Sequence, residues 1–249
     1  YYARWAENWE FQALLKASPL AGDEELGNKY FEAINPLVWQ STQRENFVES
    51  VQRMRERVTS FIPEDEIDRQ IKLGVGGLRD IEFTVQLLQL VHGRTDESVR
   101  AADTVTAISQ LAAGGYIGRS EANEFSQHYK FLRLIEHRIQ MTQMRRTHLM
   151  PLEENARRAI ARSVNISWTA EELMNYWSEV KQQVRALHQK IFYRPLLAAV
   201  SKASDGLELT NDQAADRLSV IGFIDPKGAL VHISALTTGL SRRAQIQKQ

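Results

Sequence analysis

An all-α fold is predicted for this sequence by three observations. Apolar residues recur at helical spacing along most of its 249 residues, and no persuasive strand-like alternation of apolar and polar residues is present. The most apolar segment, residues 78–91, also continues too far without a turn signal to be a typical strand.

The elements follow in order. Tyr2, Trp5, Trp9, Ala13 and Lys16 recur at helical spacing and end before Pro19. Two further helices are expected over residues 23–39 and 45–61, the first interrupted by Asn35-Pro36 and the second stopped by Pro63. Residues 78–91 are apolar nearly all round, as befits a helix at the centre of a bundle. A helix over 104–113 ends at Gly114-Gly115, and a long one occupies about 120–146. Residues 153–164 read as a short helix. A longer one spans 169–200, opened by a capping box of Thr169 and Glu172 and open to a kink at Pro195. The small, polar stretch 201–206 has a boundary composition, so residues 1–203 are expected to form one helical domain. Residues 204–249, with short helices over 210–221 and 225–240, are expected to begin another module.

Composition narrows the function. With 31 basic and 31 acidic residues, nothing argues for a chain-wide nucleic-acid surface. The lack of cysteine removes disulfides, thiolate metal sites and cysteine nucleophiles, and suits a cytoplasmic protein. No run approaches the length of a membrane span, and the opening residues do not resemble a signal peptide. They include no initiating Met and begin inside a periodic segment, so the chain is expected to be a piece of a longer polypeptide.

The chemistry concentrates in residues 71–83, IKLGVGGLRDIEF. A glycine-rich loop feeding a helix suits phosphate, because free N–H groups and the positive end of the helix dipole face the anion. Yet Asp80 and Glu82 occupy that same positive end. On a helix, two positions at roughly 100° each diverge by about 200°, so a metal held by this pair alone is not expected. Glu82 falls between Leu78 and Val85 on the apolar face, with Asp80 nearly opposite. A carboxylate placed so needs cations, for which Lys16, Lys72 and Arg79 are candidates. In residues 128–146 Glu136 likewise falls into the stripe of Leu132, Ile135 and Ile139, near Arg133, His137 and Arg138. Such a carboxylate either closes a structural ion-pair network or orients basic groups toward a phosphate. His137 has no second ligand at zinc spacing beyond the adjacent Glu136, and no nucleophile elbow is present.

Trp9-Glu10, Ala13, Lys16-Ala17, Asn35-Pro36-Leu37-Val38-Trp39 and the block from Lys72 to Gln86 resemble, in order and spacing, the bacterial glutamine synthetase adenylyltransferase family. The resemblance extends through Val91-His92-Gly93 and residues 131–138 to the tail at 215–240. It implies two fused nucleotidyltransferase units, each an α/β catalytic domain followed by a helical domain. One unit adds AMP to a tyrosine of glutamine synthetase and the other removes it. The Arg79-Asp80-Ile81-Glu82-Phe83 block looks more like the N-terminal, deadenylylating unit. The family's Gly-Ser and Asp-x-Asp motifs have no counterpart here, so no catalytic residue or metal ligand is expected in this chain. Magnesium and ATP, AMP or phosphate are implied for the whole enzyme, with glutamine synthetase and a PII-type signal protein as partners.

The expectation for this chain is therefore the helical wall of a nucleotidyl-transfer site. Lys16, Lys72 and Arg79 would face the phosphates, and Gly74, Gly76 and Gly77 would let the backbone approach closely. Glu10, Asp80, Glu82, Arg133, Glu136, His137 and Arg138 would form the supporting ion pairs. A uridylyltransferase-like nitrogen sensor, or a non-catalytic module using the aromatic surface of Tyr1, Tyr2 and Trp5, are the alternatives.

Overall fold

A computed structural model describes residues 1–2, 4–44, 47–192, 228, 230 and 231. Within Tyr1–Phe192, which forms one compact unit, eight α-helices follow one another. They are α1 (Asn8–Leu14), α2 (Glu24–Gln40), α3 (Phe47–Ser60), α4 (Leu78–His92), α5 (Thr104–Ala113), α6 (Arg119–Gln143), α7 (Glu154–Val164) and α8 (Ala170–Phe192). Among the described residues there is no strand, only an isolated antiparallel bridge between Gln70 and Leu149.

The apolar character of α4 determines its place. It packs against α1, α5, α6 and α8, and every residue from Asp80 to Leu90 is buried. Ile81, Val85 and Leu88 meet Ile108 and Leu111 of α5, Leu132 and Ile135 of α6, and Trp177 and Val184 of α8 in one core. Each such side chain, taken from water, stabilises by about 1.5–3 kcal/mol. Helix starts follow capping chemistry: Asp23 accepts from the Leu26 N–H and Asp103 from the Thr106 N–H, both at 2.9 Å. The capping box at α8 forms as its sequence demands. The Thr169 N–H donates to Glu172 at 2.7 Å, and the Glu172 N–H donates to the Thr169 hydroxyl at 3.1 Å.

Four expectations are corrected. The first helix begins at Asn8 rather than near Tyr2, because the Glu10 carboxylate draws in the Glu7 N–H (2.7 Å) and the Tyr1 hydroxyl (2.8 Å) and so opens the helix there. Pro36 does not interrupt α2. It lies on the exposed face, while Ile34, Val38 and Trp39 bury the other face. The Trp39 indole N–H also donates to Asn35 at 2.7 Å, across the proline. Third, α6 stops at Gln143 rather than 146, followed by Met144 in the left-handed region (φ 49°). Fourth, Asp80 is not on an outward face: it is only 2% exposed, because α4 is enclosed on every side.

The continuation of the last long helix past 192, the Pro195 kink and the boundary at 203/204 lie outside the described residues. So do the two short helices, apart from helical residues 228, 230 and 231.

Candidate phosphate-binding site

The glycine-rich stretch is a folded-back loop clamped at the start of α4. The Leu78 N–H donates to the Ile71 carbonyl (3.1 Å) and the Arg79 N–H to the Lys72 carbonyl (3.0 Å), so the chain returns alongside itself. Gly76 has φ 73°, and a β-carbon there would lie 2.1 Å from the Lys181 carbonyl oxygen of α8. At Gly77 it would lie 2.6 Å from the Ile71 carbonyl, and at Gly74 3.0 Å from Gln70 Cβ. The close approach these glycines permit is thus to the protein's own backbone. Two of their donors are taken as well: the Gly76 N–H goes to Asp80 Oδ2 at 2.6 Å and the Gly77 N–H to the Gly74 carbonyl at 3.1 Å. The three glycines shape the loop, while its side chains are left to meet a ligand.

Asp80 anchors that loop through a residue that sequence reasoning missed. Arg55 of α3 is 6% exposed and places Nε at 2.7 Å and Nη2 at 2.6 Å from Asp80 Oδ1, with Nη2 also 3.3 Å from the Gly74 carbonyl. The signal was available, since Phe47, Val51 and Arg55 share one face at spacings of four and Phe47 and Val51 are buried. His188 of α8 completes the knot. Its Nδ1 lies 2.7 Å from the Thr84 hydroxyl and 3.1 Å from the Asp80 carbonyl. Because the Thr84 hydroxyl donates to that same carbonyl at 2.7 Å, a proton on Nδ1 satisfies the set. Burial holds the His188 pKa below its ordinary value, opposed by Asp80 and assisted by Arg55.

Glu82 points away from this knot, as the helical divergence requires. Its Oε2 accepts from Arg79 Nη1 at 3.1 Å, and Lys16 Nζ lies 3.9 Å from Oε1 while donating to the Thr104 hydroxyl at 3.0 Å. Lys72 does not join Glu82; its Nζ lies 3.5 Å from Glu136 Oε1, and Arg133 bonds the other oxygen of Glu136. The Glu82 and Glu136 side chains are 7% and 2% exposed. Those of Lys16, Lys72, Arg79 and Arg133 are 39%, 25%, 36% and 35% exposed. Two buried acids therefore hold four cations whose heads reach solvent, an excess of two positive charges. The four form one neighbourhood: Lys16 has its pKa lowered by burial, then raised by Glu82 and lowered again by Arg79, Arg133 and Lys72. Tyr129 belongs to the same surroundings, its pKa raised chiefly by burial, with Thr104, Glu82, Arg133 and Glu136 as neighbours.

Three expected members of the ion-pair set fall outside it. Glu10 caps α1 through Tyr1 and Glu7 rather than a cation. His137 is exposed, and Arg138 forms no ion pair among the described residues, its Nε being buried without a hydrogen bond. Helix geometry explains this, since one and two positions turn about 100° and 200° away from Glu136 while Arg133, three positions before it, shares its face. A divalent ion does not fit the acids of this site, because Arg55, Lys16, Arg79, Lys72 and Arg133 already engage the oxygens of Asp80, Glu82 and Glu136. No group of three or more metal-ligating side chains occurs among the described residues.

Residues 45–192, from before α3 to the end of α8, match the family described as GlnD PII-uridylyltransferase. The chain belongs to that family. Its similarity to individual proteins covers the whole chain, including Lys16, which lies before the matched region. A "Bifunctional glutamine synthetase adenylyltransferase/adenylyl-removing enzyme" of Leifsonia xyli is 57% identical over all of this chain and 25% of its own length. Enzymes of the same description from Streptomyces coelicolor and Corynebacterium glutamicum are 52% and 46% identical, over 100% and 99% of this chain and 25% and 24% of theirs. The chain thus spans about a quarter of the length of these relatives. Among the described residues no helix is long and apolar enough to cross a membrane.

Proposed function

We propose that this chain forms the helical wall of a nucleotidyl-transfer site in a cytoplasmic enzyme that adds AMP to, and removes it from, a tyrosine of glutamine synthetase. Its place there is the deadenylylating unit, so that it serves the control of nitrogen assimilation. The observation carrying this reading is the cluster of Lys16, Lys72, Arg79 and Arg133, solvent-facing cations fixed from behind by Glu82 and Glu136. Transfer of a nucleotidyl group spreads negative charge over phosphate oxygens, and pre-oriented cations stabilise that charge without reorganising. Bidentate guanidinium groups and compact ammonium groups are both suited to it. The relatives' shared description, matched across the whole chain, supplies the identity of the acceptor. ATP, AMP or phosphate and magnesium belong to the complete site, with carboxylates contributed from outside this chain, and a PII-type protein is the proposed signal partner.

The family description favours a second reading, transfer of UMP to a PII-type protein. Supplying the complete enzyme with modified glutamine synthetase, and separately with a PII-type protein and UTP, separates them. Release of AMP that falls in Lys72→Ala and Arg79→Ala supports the first reading. UMP transfer without AMP release supports the second.

A further inference from the structure

We propose that the groove between α7 and the start of α8 is a docking site for an acidic peptide segment of a partner protein, one carrying an apolar anchor residue. The groove encloses about 780 Å³, with Ile166, Trp168 and Met174 as its apolar lining and Arg157, Arg158 and Arg162 along α7. None of these residues belongs to the cation cluster. Trp168 is braced edge-to-face against Phe131 (6.3 Å) and Tyr176 (5.4 Å), so the apolar surface is preformed. Ile166 beside it is 87% exposed, a large apolar side chain left in water next to other apolar groups.

The charges decide what kind of occupant fits. Arg157 is tethered through Nε to the Pro151 carbonyl at 2.6 Å, which leaves its terminal nitrogens available. Arg158 pairs with Glu154 at 3.1 Å, but with side chains 48% and 77% exposed this pair is weak and readily exchanged for another carboxylate. Arg162 has no ion pair among the described residues. Glu154 and Glu171 also line the groove, so the arginines outnumber the acids by one. From Arg157 to Arg162 the rise along the helix is roughly 7 Å. Three guanidinium groups distributed along α7 can each take a separate carboxylate, so a peptide with spaced carboxylates fits the groove and sets its apolar residue against Ile166, Trp168 and Met174.

The test measures fluorescence anisotropy of a labelled peptide of roughly ten residues, alternating glutamate pairs with leucines, titrated with the full chain. Binding should weaken about tenfold in Arg158→Glu/Arg162→Glu and also fall in Ile166→Ser. Both variants should keep the parental melting temperature, since all three side chains are exposed. A glutamate-only peptide should bind more weakly than the leucine-containing one. Absence of binding, equal binding of the two peptides, or indifference to both variants would overturn the proposal. So would displacement of the peptide by AMP or inorganic phosphate, which would mark the groove as a small-anion site.

Discussion

Lys72 and Arg79 each hold a buried carboxylate with one face and meet solvent with the other, so each can be tested for a functional role separately from a structural one. If the proposed function holds, Lys72→Ala and Arg79→Ala in the complete enzyme should lower AMP removal by roughly 10²-fold while leaving AMP addition nearly unchanged, because each would remove one donor aimed at developing phosphate charge. Both activities are to be measured beside the melting temperature; a lowered melting temperature with unchanged AMP removal would reduce both residues to architecture. Glu136→Ala tests the support. Its cations are a quarter to a third exposed and can turn to water, so the expected loss of stability is about 1–2 kcal/mol rather than that of stranding a buried charge. An unchanged denaturant midpoint would exclude the network. His188 gives the protein an acid-sensitive point. Its folded pKa is depressed, so its contribution is fully present above about pH 6.5, the unfolded value, and is lost as pH falls below it, where only the unfolded chain readily takes the proton. His188→Gln should flatten the stability profile below about pH 6.5 relative to the parent. The comparison with the parent is needed because His92, His128 and His148 are also depressed by burial.

At the scale of elements, the loop from Gln70 to Gly77 is the joint on which the site depends. Asp80 of α4 and Arg55 of α3 grip it from behind, His188 of α8 bears on Asp80, and Lys72 lies within the loop with Arg79 just beyond it on α4. Gly76→Ala should therefore cost about 3 kcal/mol, since a β-carbon there combines a left-handed backbone with a collision against the α8 backbone that no rotamer can relieve. Urea unfolding would measure it, and a loss below about 0.5 kcal/mol would mean that α8 shifts freely away from the loop. Gly115, also left-handed at φ 75° but with nothing within 4 Å of a built β-carbon, is the control. Substitution there should cost about 1 kcal/mol, from the backbone alone.

For the molecule as a whole, the core running through α4, α5, α6 and α8 is contained within Tyr1–Phe192. The isolated chain should therefore give a strongly helical circular dichroism spectrum with one cooperative melt in that unit. A spectrum dominated by strand, or no melt, would contradict the fold. The same isolated chain, supplied with magnesium, should neither add AMP to glutamine synthetase nor release it, because the acids of its cation cluster are engaged by lysine and arginine. Release of AMP by the purified chain would overturn that assignment.

Periodicity and capping are local properties, and they were enough to locate α4, α5, α7 and the start of α8 within a residue or two, because a helix's hydrogen bonds close within its own segment. They also showed that Glu82 and Glu136 sit in apolar stripes and must find cations. Arg79 and Arg133 stand three positions before them on the same helix face, within reach of a local rule, whereas the other two cations were decided by packing. Lys72 meets Glu136 across 64 positions of sequence and Lys16 meets Glu82 across 66, distances over which no local rule acts. The sequence pattern placed Asp80 outward because a helical wheel assumes one wet face, and α4, covered on all sides, has none. Pro36 likewise reads as a break until the burial of Ile34, Val38 and Trp39 shows what keeps α2 continuous through it. The glycines suggested an anion and proved to accommodate the protein's own chain, the backbone of α8 at Gly76 and the loop itself at Gly74 and Gly77, since a residue without a side chain permits close approach without stating to what. Sequence alone thus determined where helices form and which charges need partners. The choice of the distant partners Lys16 and Lys72, and the gathering of four cations at one surface, came from the tertiary fold, because only the fold brings distant segments within the few ångströms over which charges and donors act.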